Sequence, residues 1–269
     1  MAITDDRVSR EREFHDDWAD SSDISTIDVV RANEVCTAPE MRHILHSLGD
    51  LHGKKLLDIG CGLGEASVYF ALKGANVTSS DLSSGMLEHT KRLAADNGVR
   101  VATHLAQAED MSLAPDQKFD IIYAGNLLHH IDIEQMLTQI EPHLEKDGVF
   151  VSWDPIAYNP VINLYRMIAT QVRTPDERPL TLEDMRKIKT IFPNVKTRSF
   201  WLTTLIIFIL MFVVQRRNPN KERYWKAVIS DGDKWAWLYM PLARLDTVLL
   251  AIVPPLRWLC WNIVVVARK

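Results

Sequence analysis

From residue 54 to about residue 155 short apolar runs alternate with helical patterns, and this alternation restricts the chain to an α/β fold, a mostly parallel sheet with helices on both faces. The periodicity predicts strands over residues 55–59, 76–80, 99–105, 119–124 and 149–153, separated by helices over 65–73, 84–97 and 133–144. Ser83 stands where it can cap the second helix. The first strand runs into a turn, LLDIGCGLGE at residues 56–65. Its Gly60, Gly62 and Gly64 permit backbone torsions and a close ligand approach that side chains would forbid. Such a turn lies at the carboxyl end of a strand, where open α/β sheets bind ligands.

Spacing narrows the ligand. A dinucleotide loop reads G-x-G-x-x-G, whereas this one reads G-x-G-x-G with Asp58 two residues upstream. A pyrophosphate seeks a helix N-terminus free of an adjacent carboxylate, but a cation welcomes one. Asp81 closes the second strand, where a carboxylate accepts both hydroxyls of a ribose. S-adenosylmethionine, with an ammonium, a sulfonium and no phosphate, meets these conditions better than a nicotinamide dinucleotide. The bland alternatives are a plain strand-to-helix turn and a solvent-facing aspartate, and the two features together argue against them.

On these residues the chain resembles the class I S-adenosylmethionine-dependent methyltransferases, and among them the small-molecule enzymes similar to the ubiquinone and menaquinone methyltransferases. The resemblance covers about residues 50–155 and, less closely, the last strand. It implies a Rossmann-like fold: a seven-stranded sheet with an antiparallel last strand, a role that WNIVVVARK suits. It also implies S-adenosyl-L-methionine as cofactor and S-adenosyl-L-homocysteine as product. By the same resemblance Asp58, Gly60, Gly62 and Gly64 cradle the methionine part and the ribose, and Asp81 binds the ribose. Leu82 lies beside the adenine, with Met86 packed on its ring. In LAQAEDMSL, Gln107 stands where the family has Asp, and Ala108 bonds adenine through its backbone. Asn126 contacts the methionine moiety.

Methyl transfer needs a base only when the acceptor is a hydroxyl or a carbon acid. His129 and His130 follow the fourth strand at the cofactor edge, and histidine near neutral pKa is the usual proton acceptor. Asp154, ending the fifth strand, is a second candidate base. Packing or capping by one of the histidines is the alternative. No metal site is expected: no Asp and Asn set of the catechol-methyltransferase kind is visible, and Cys36, Cys61 and Cys260 form no Cys-x-x-Cys pair. The loop RTPDERPL at 173–180 gathers Arg173, Asp176, Glu177 and Arg178, either to hold a polar or anionic substrate group or as a solvated turn. Phe14 and Trp18 lie four apart on one face of a short helix that, with His15, reads as a lid or as ordinary packing.

Beyond residue 155 prolines at 155, 160, 175 and 179 bound two helical stretches, the second opened by Thr181-Leu-Glu-Asp184, close to a capping box. Strands are expected over 195–201 and 261–267, with an apolar helical insertion between them that is far longer than the usual connection. Residues 201–214 carry no charge, which is short of the ~20 residues a bilayer span needs. Arg216, Arg217, Lys221, Arg223 and Lys226 follow, and six of the eight tryptophans fall in this last quarter. A second apolar stretch, 247–253, ends at Pro254-Pro255. Apolar helix, basic flank and tryptophan enrichment describe an interfacial membrane anchor through 201–258; a lid or a homodimer interface would bury the same surface.

The expected division is an N-terminal helical lid (1–50), a cofactor-binding core (51–155) and an acceptor-covering region (156–269) that holds the insertion (202–257) and the terminal strand (261–268). With 47% hydrophobic and 25% charged residues the chain is a packed protein, and a net charge of −4 gives no reason to expect a nucleic-acid partner. The charged opening MAITDDRVSREREFHDD holds no apolar stretch, so a cytoplasmic protein is expected, peripheral on the inner face of a membrane if the insertion meets lipid. The reading is a methyltransferase for a small apolar or amphipathic, lipid-like acceptor, acting on oxygen. C-methylation of a quinone-like ring and a non-catalytic cofactor-binding scaffold stay open.

Overall fold

Period-two alternation builds the centre of the molecule. Leu56, Ile121, Val149, Val151, Val264 and Val266 face one side of the sheet, and Leu57, Ile122, Phe150, Ile263 and Val265 face the other. The computed structural model describes residues 3–174 and 176–269; Pro175 and the first two residues of the expected lid lie outside the described residues.

In chain order the elements are α1 (Ile3–Ser21), α2 (Val29–Glu34), α3 (Pro39–Leu48), β1 (Lys55–Ile59), α4 (Glu65–Leu72), β2 (Asn76–Asp81), α5 (Ser84–Asp96), β3 (Ala102–Leu105) and β4 (Phe119–Gly125). There follow α6 (Ile133–Ile140), β5 (Leu144–Pro155), α7 (Pro160–Ile168), α8 (Leu182–Ile191), β6 (Asn194–Phe200), α9 (Ile206–Val213), α10 (Tyr224–Ser230), α11 (Gly232–Ile252) and β7 (Asn262–Arg268). The seven strands form one sheet in the order β3-β2-β1-β4-β5-β7-β6, with β7 antiparallel to both its neighbours and the remaining pairs parallel. The order reverses between β1 and β4, and the crevice at their carboxyl ends is where such sheets hold ligands.

Apolar stripes of α3, α4 and α5 cover one face, through Met41, Ile44, Val68, Phe70 and Leu93. Those of α6 and α8 cover the other, through Met136, Leu137, Met185 and Ile188. Thus α3 packs on the sheet while its Glu40 and Met41 also line the crevice. The Ser83 cap and the Thr181–Asp184 capping box form as read.

Several boundaries differ from expectation, and strand β5, expected over 149–153, runs from Leu144 to Pro155. Strand β3 begins at Ala102 because Val99 and Val101 pack as loop residues against the α5 face. Helix α6 stops at Ile140, where Glu141–His143, with Pro142, tightens into a 3-10 turn. The apolar stretch at 247–253 is the end of the 21-residue α11, which carries Pro241 inside it.

Candidate active site

The reversal point opens into a cavity of about 720 Å³, within the size range of small-molecule sites. The glycine turn borders it. Gly62 (φ +53°) has open space where a Cβ would stand, so its backbone borders the cavity directly. Gly60 lines the wall beside Leu127. Gly64 (φ +89°) does not line the cavity: an added Cβ would lie 2.6 Å from Thr90 Oγ1, so this glycine lets α4 and α5 pack closely. The expectation that it touches the ligand is corrected accordingly.

Both acids read from the sequence meet here. Asp81 Oδ2 accepts the Gly62 N–H at 2.9 Å and Oδ1 accepts the Ser83 N–H at 2.9 Å. These bonds leave carboxylate lone pairs for two further donors, as a ribose requires. Burial pushes the Asp81 carboxyl up, while His15 and the backbone N–H groups of Ser83 and Gly62 oppose that. Asp58 Oδ2 accepts the Ser67 hydroxyl at 2.5 Å, and burial pushes its carboxyl up to about 7, with Asp81 adding to the rise. A cation in the cavity would relieve both acids. By this test the residues fit an adenosyl donor that carries an ammonium and a sulfonium.

Leu82, Gln107, Ala108 and Asn126 also line the cavity. Asn126 sits in the left-handed region (φ +56°) with its N–H on the Trp153 carbonyl at 2.7 Å; among non-glycine residues asparagine tolerates this torsion best. Met86 is a correction. It is fully buried with Ala19, Ile24 and Leu63 and lies outside the wall, because the seam between α1 and α5 takes up its side chain.

His129 and His130, on a 3-10 turn after β4, line the same cavity. His129 Nδ1 lies 2.9 Å from Asp154 Oδ1, which also receives the His129 backbone N–H at 3.3 Å. Asp154 is wholly buried behind the wall, so it orients the imidazole instead of meeting substrate. The reading of Asp154 as a base is revised to that of a positioning residue. Burial holds the His129 pKa well below its ordinary 6.5, with His130, Arg166 and Arg173 adding to the effect. Burial also pushes the Asp154 carboxyl well up, against the N–H groups of His129 and Leu128. His130 Nδ1 is 3.3 Å from Glu11 Oε1.

Several wall residues escaped the sequence reading. Glu11 comes from α1 beside His15 of the expected lid, Arg166 comes from α7, and Arg223 and Lys226, read from the sequence as a membrane-facing flank, come from the insertion. Helix α1 is held over the cavity by Arg7 on the His130 carbonyl (2.7 Å), by the Ser83 hydroxyl on Asp16 (2.5 Å) and by Arg223, 3.8 Å above the Trp18 ring. Phe14 and Trp18 were the signal for this contact; their cationic partners lie some two hundred residues away in sequence. His129, His130 and Glu177 bring ligand-type atoms within 4.8 Å of one another, but Arg173 (2.6 Å) and Arg166 (3.4 Å) already engage the Glu177 carboxylate.

Comparison with known proteins agrees with this geometry. Residues 56–148 match the family described as "Methyltransferase domain". A solved Bacillus subtilis protein, YcgJ, superposes with a TM-score of 0.54 at 17% identity, covering 86% of this chain and 98% of its own. Phosphoethanolamine N-methyltransferase 2 of Haemonchus contortus gives 0.56 at 18% identity, covering 84% and 51%. Fold and matched domain define the class: residues 56–148 of the chain carry a methyltransferase domain, set in the fold that these solved structures share. Within that class it is similar to the ubiquinone biosynthesis O-methyltransferase of Pseudomonas syringae pv. tomato, at 30% identity over 122 residues, 45% of this chain and 53% of that protein. The chain thus spans about half the length of the curated relatives it matches.

Proposed function

We propose that the protein transfers the methyl group of S-adenosylmethionine to an oxygen of an apolar or amphipathic, lipid-like acceptor. The observation that carries this reading is one cavity lined both by Asp81 with the Gly62 backbone and by the Asp154-oriented His129. The donor, when bound, supplies a methyl carbon activated by a positively charged sulfur. Asp81 holds the ribose, Asp58 faces the cationic part from behind the turn, and Gln107, Ala108 and Leu82 border the adenine. An acceptor oxygen forms its bond to the methyl carbon as the carbon–sulfur bond breaks and its electron pair passes to sulfur. His129, with Nδ1 engaged by Asp154, takes the hydroxyl proton at Nε2. The cavity holds the two reactants in line and excludes water, and positioning of that kind supplies roughly 7–11 kcal/mol.

The apolar roof supports a lipid-like acceptor. Tyr165, Trp201 and Trp261 line the cavity, and outside it α9 and α11 expose Phe212, Val213, Val214, Trp237, Val248 and Ile252. Arg216, Lys221, Arg244 and Arg257 are exposed around that face, the complement of anionic headgroups. We therefore place the chain in the cytoplasm, docked on the inner face of an anionic membrane. Helix α11 is long and apolar enough to cross a bilayer by length and composition. Its buried Asp246, however, accepts the Thr203 N–H (2.7 Å) and the Thr204 hydroxyl (2.9 Å), which favours a helix lying on the surface. Turnover of S-adenosylmethionine with a panel of alkylated phenols, acids and quinones tests the reaction. An O-methyl product is expected; a ring C-methyl product, or no turnover with any of them, contradicts it.

A further inference from the structure

The wall beside His129 carries more positive charge than the mechanism uses. Arg166 of α7, Arg173 of the following loop and Arg223 before α10 line the cavity around one carboxylate, Glu177. Arg173 Nε donates to Glu177 at 2.6 Å and Arg166 lies at 3.4 Å, each on the same oxygen. Arg223 stacks on Trp18 and has no carboxylate within ion-pair distance among the described residues. Other acids of the wall have partners of their own: Glu11 Oε1 has Thr174 and His130, Glu109 has Arg7, Glu65 has Lys226, Asp81 has backbone N–H groups, Asp58 has Ser67, Glu40 has Asn262, and Asp23 and Asp28 cap local turns. Three guanidinium groups therefore face one carboxylate at a largely buried site, where an unbalanced charge is costly.

We propose that this cluster binds the acidic oxygen of the acceptor, so that the substrates are amphiphiles bearing a carboxylate or an ionisable phenol on an apolar body. The inference rests on the methyl-transfer reading and names its substrate class. Guanidinium groups match a planar oxyanion geometrically, and stacking on Trp18 fixes Arg223 in place. Glu177 lies within 4.8 Å of the His129 and His130 ring nitrogens, so a phenol held by its arginine partners gives up its proton beside the proton acceptor, whereas a carboxylate, already ionised, needs no base. Ile162, Tyr165, Val172 and Trp201 line the same cavity and suit the apolar body. Burial, and after it Arg173, pulls Arg166 down to about 10, and burial lowers Arg223. An anion between them would reverse both effects.

The test is calorimetry on protein saturated with S-adenosylhomocysteine, titrated with octanoate, 4-hexylphenol, 1-octanol and octylamine below their aggregation limits. At least one acid is expected to bind about tenfold or more tightly than octanol, with octylamine weakest; the phenolate absorbance band reports the form in which the phenol is held. Arg166→Gln should weaken the acid at least fivefold and leave octanol and S-adenosylhomocysteine unchanged, and Arg223→Gln, which also loosens the Trp18 contact, should weaken the acid at least fivefold more than octanol. Octanol binding as tightly as both acids, or equal losses for acid and alcohol in the variants, overturns the inference. If a variant does not fold, the wild-type ligand series decides. Failure of the wild type to bind S-adenosylhomocysteine contradicts instead the methyl-transfer reading.

Discussion

A histidine can serve as a base here only while it stays unprotonated, and burial together with two nearby arginines keeps His129 in that form. Its pKa lies below 6.5, so kcat should be flat above about pH 6.5 and fall only on the acid side. Asp154→Asn replaces the orienting carboxyl with an amide of the same size. It should lower kcat on the order of 10²-fold, shift the acid limb and leave S-adenosylhomocysteine affinity unchanged. An unaltered pH profile would show that Asp154 is only structural. The glycines separate in the same way. Gly62→Ala meets open space and should cost about 1–2 kcal/mol for its left-handed torsion. Gly64→Ala adds a clash with the Thr90 backbone at 2.9 Å and should cost more, about 3 kcal/mol or above by denaturant melting. Equal costs would refute the distinction.

Helix α1 adds little apolar surface to the core and is held mainly by polar ties and by Trp18 under Arg223 and Lys226. Trp18→Ala should therefore loosen it: faster amide exchange across residues 7–21 and several-fold weaker donor binding, with the melting temperature nearly unchanged. A large fall in melting temperature would instead make α1 a core element. The insertion was only half legible. Its hydrophobicity and tryptophans were plain, but the run of five basic residues is divided by the fold. Arg217 pairs with Glu222 and Asp231, Arg223 and Lys226 turn to the cavity, and Arg216 and Lys221 stay exposed. Flotation with anionic vesicles should carry the protein upward, and Phe212→Ser with Trp237→Ser should abolish this. Equal flotation with neutral vesicles, or a soluble dimer that ignores lipid, would contradict the docking face.

Across the whole molecule, what could be read from the sequence is what strand ends bring together. Asp58, Asp81 and Asn126 close β1, β2 and β4, and a parallel sheet places such ends side by side without further information. Glu11, Arg166, Arg173 and Arg223 come from four segments outside that sheet, and their convergence depends on tertiary packing that no local pattern records. Met86 was misplaced for the same reason, since α1 claims the face that the local pattern left open. All of this depends on one ligand. Calorimetric titration of the purified chain with S-adenosylhomocysteine, beside Asp81→Ala and with NADH as comparison, measures it directly. The wild type should bind one equivalent, Asp81→Ala should lose about 1.5–3 kcal/mol, and NADH should give no heat. NADH binding with no response to S-adenosylhomocysteine, or an Asp81→Ala variant that binds as the wild type does, would contradict the account.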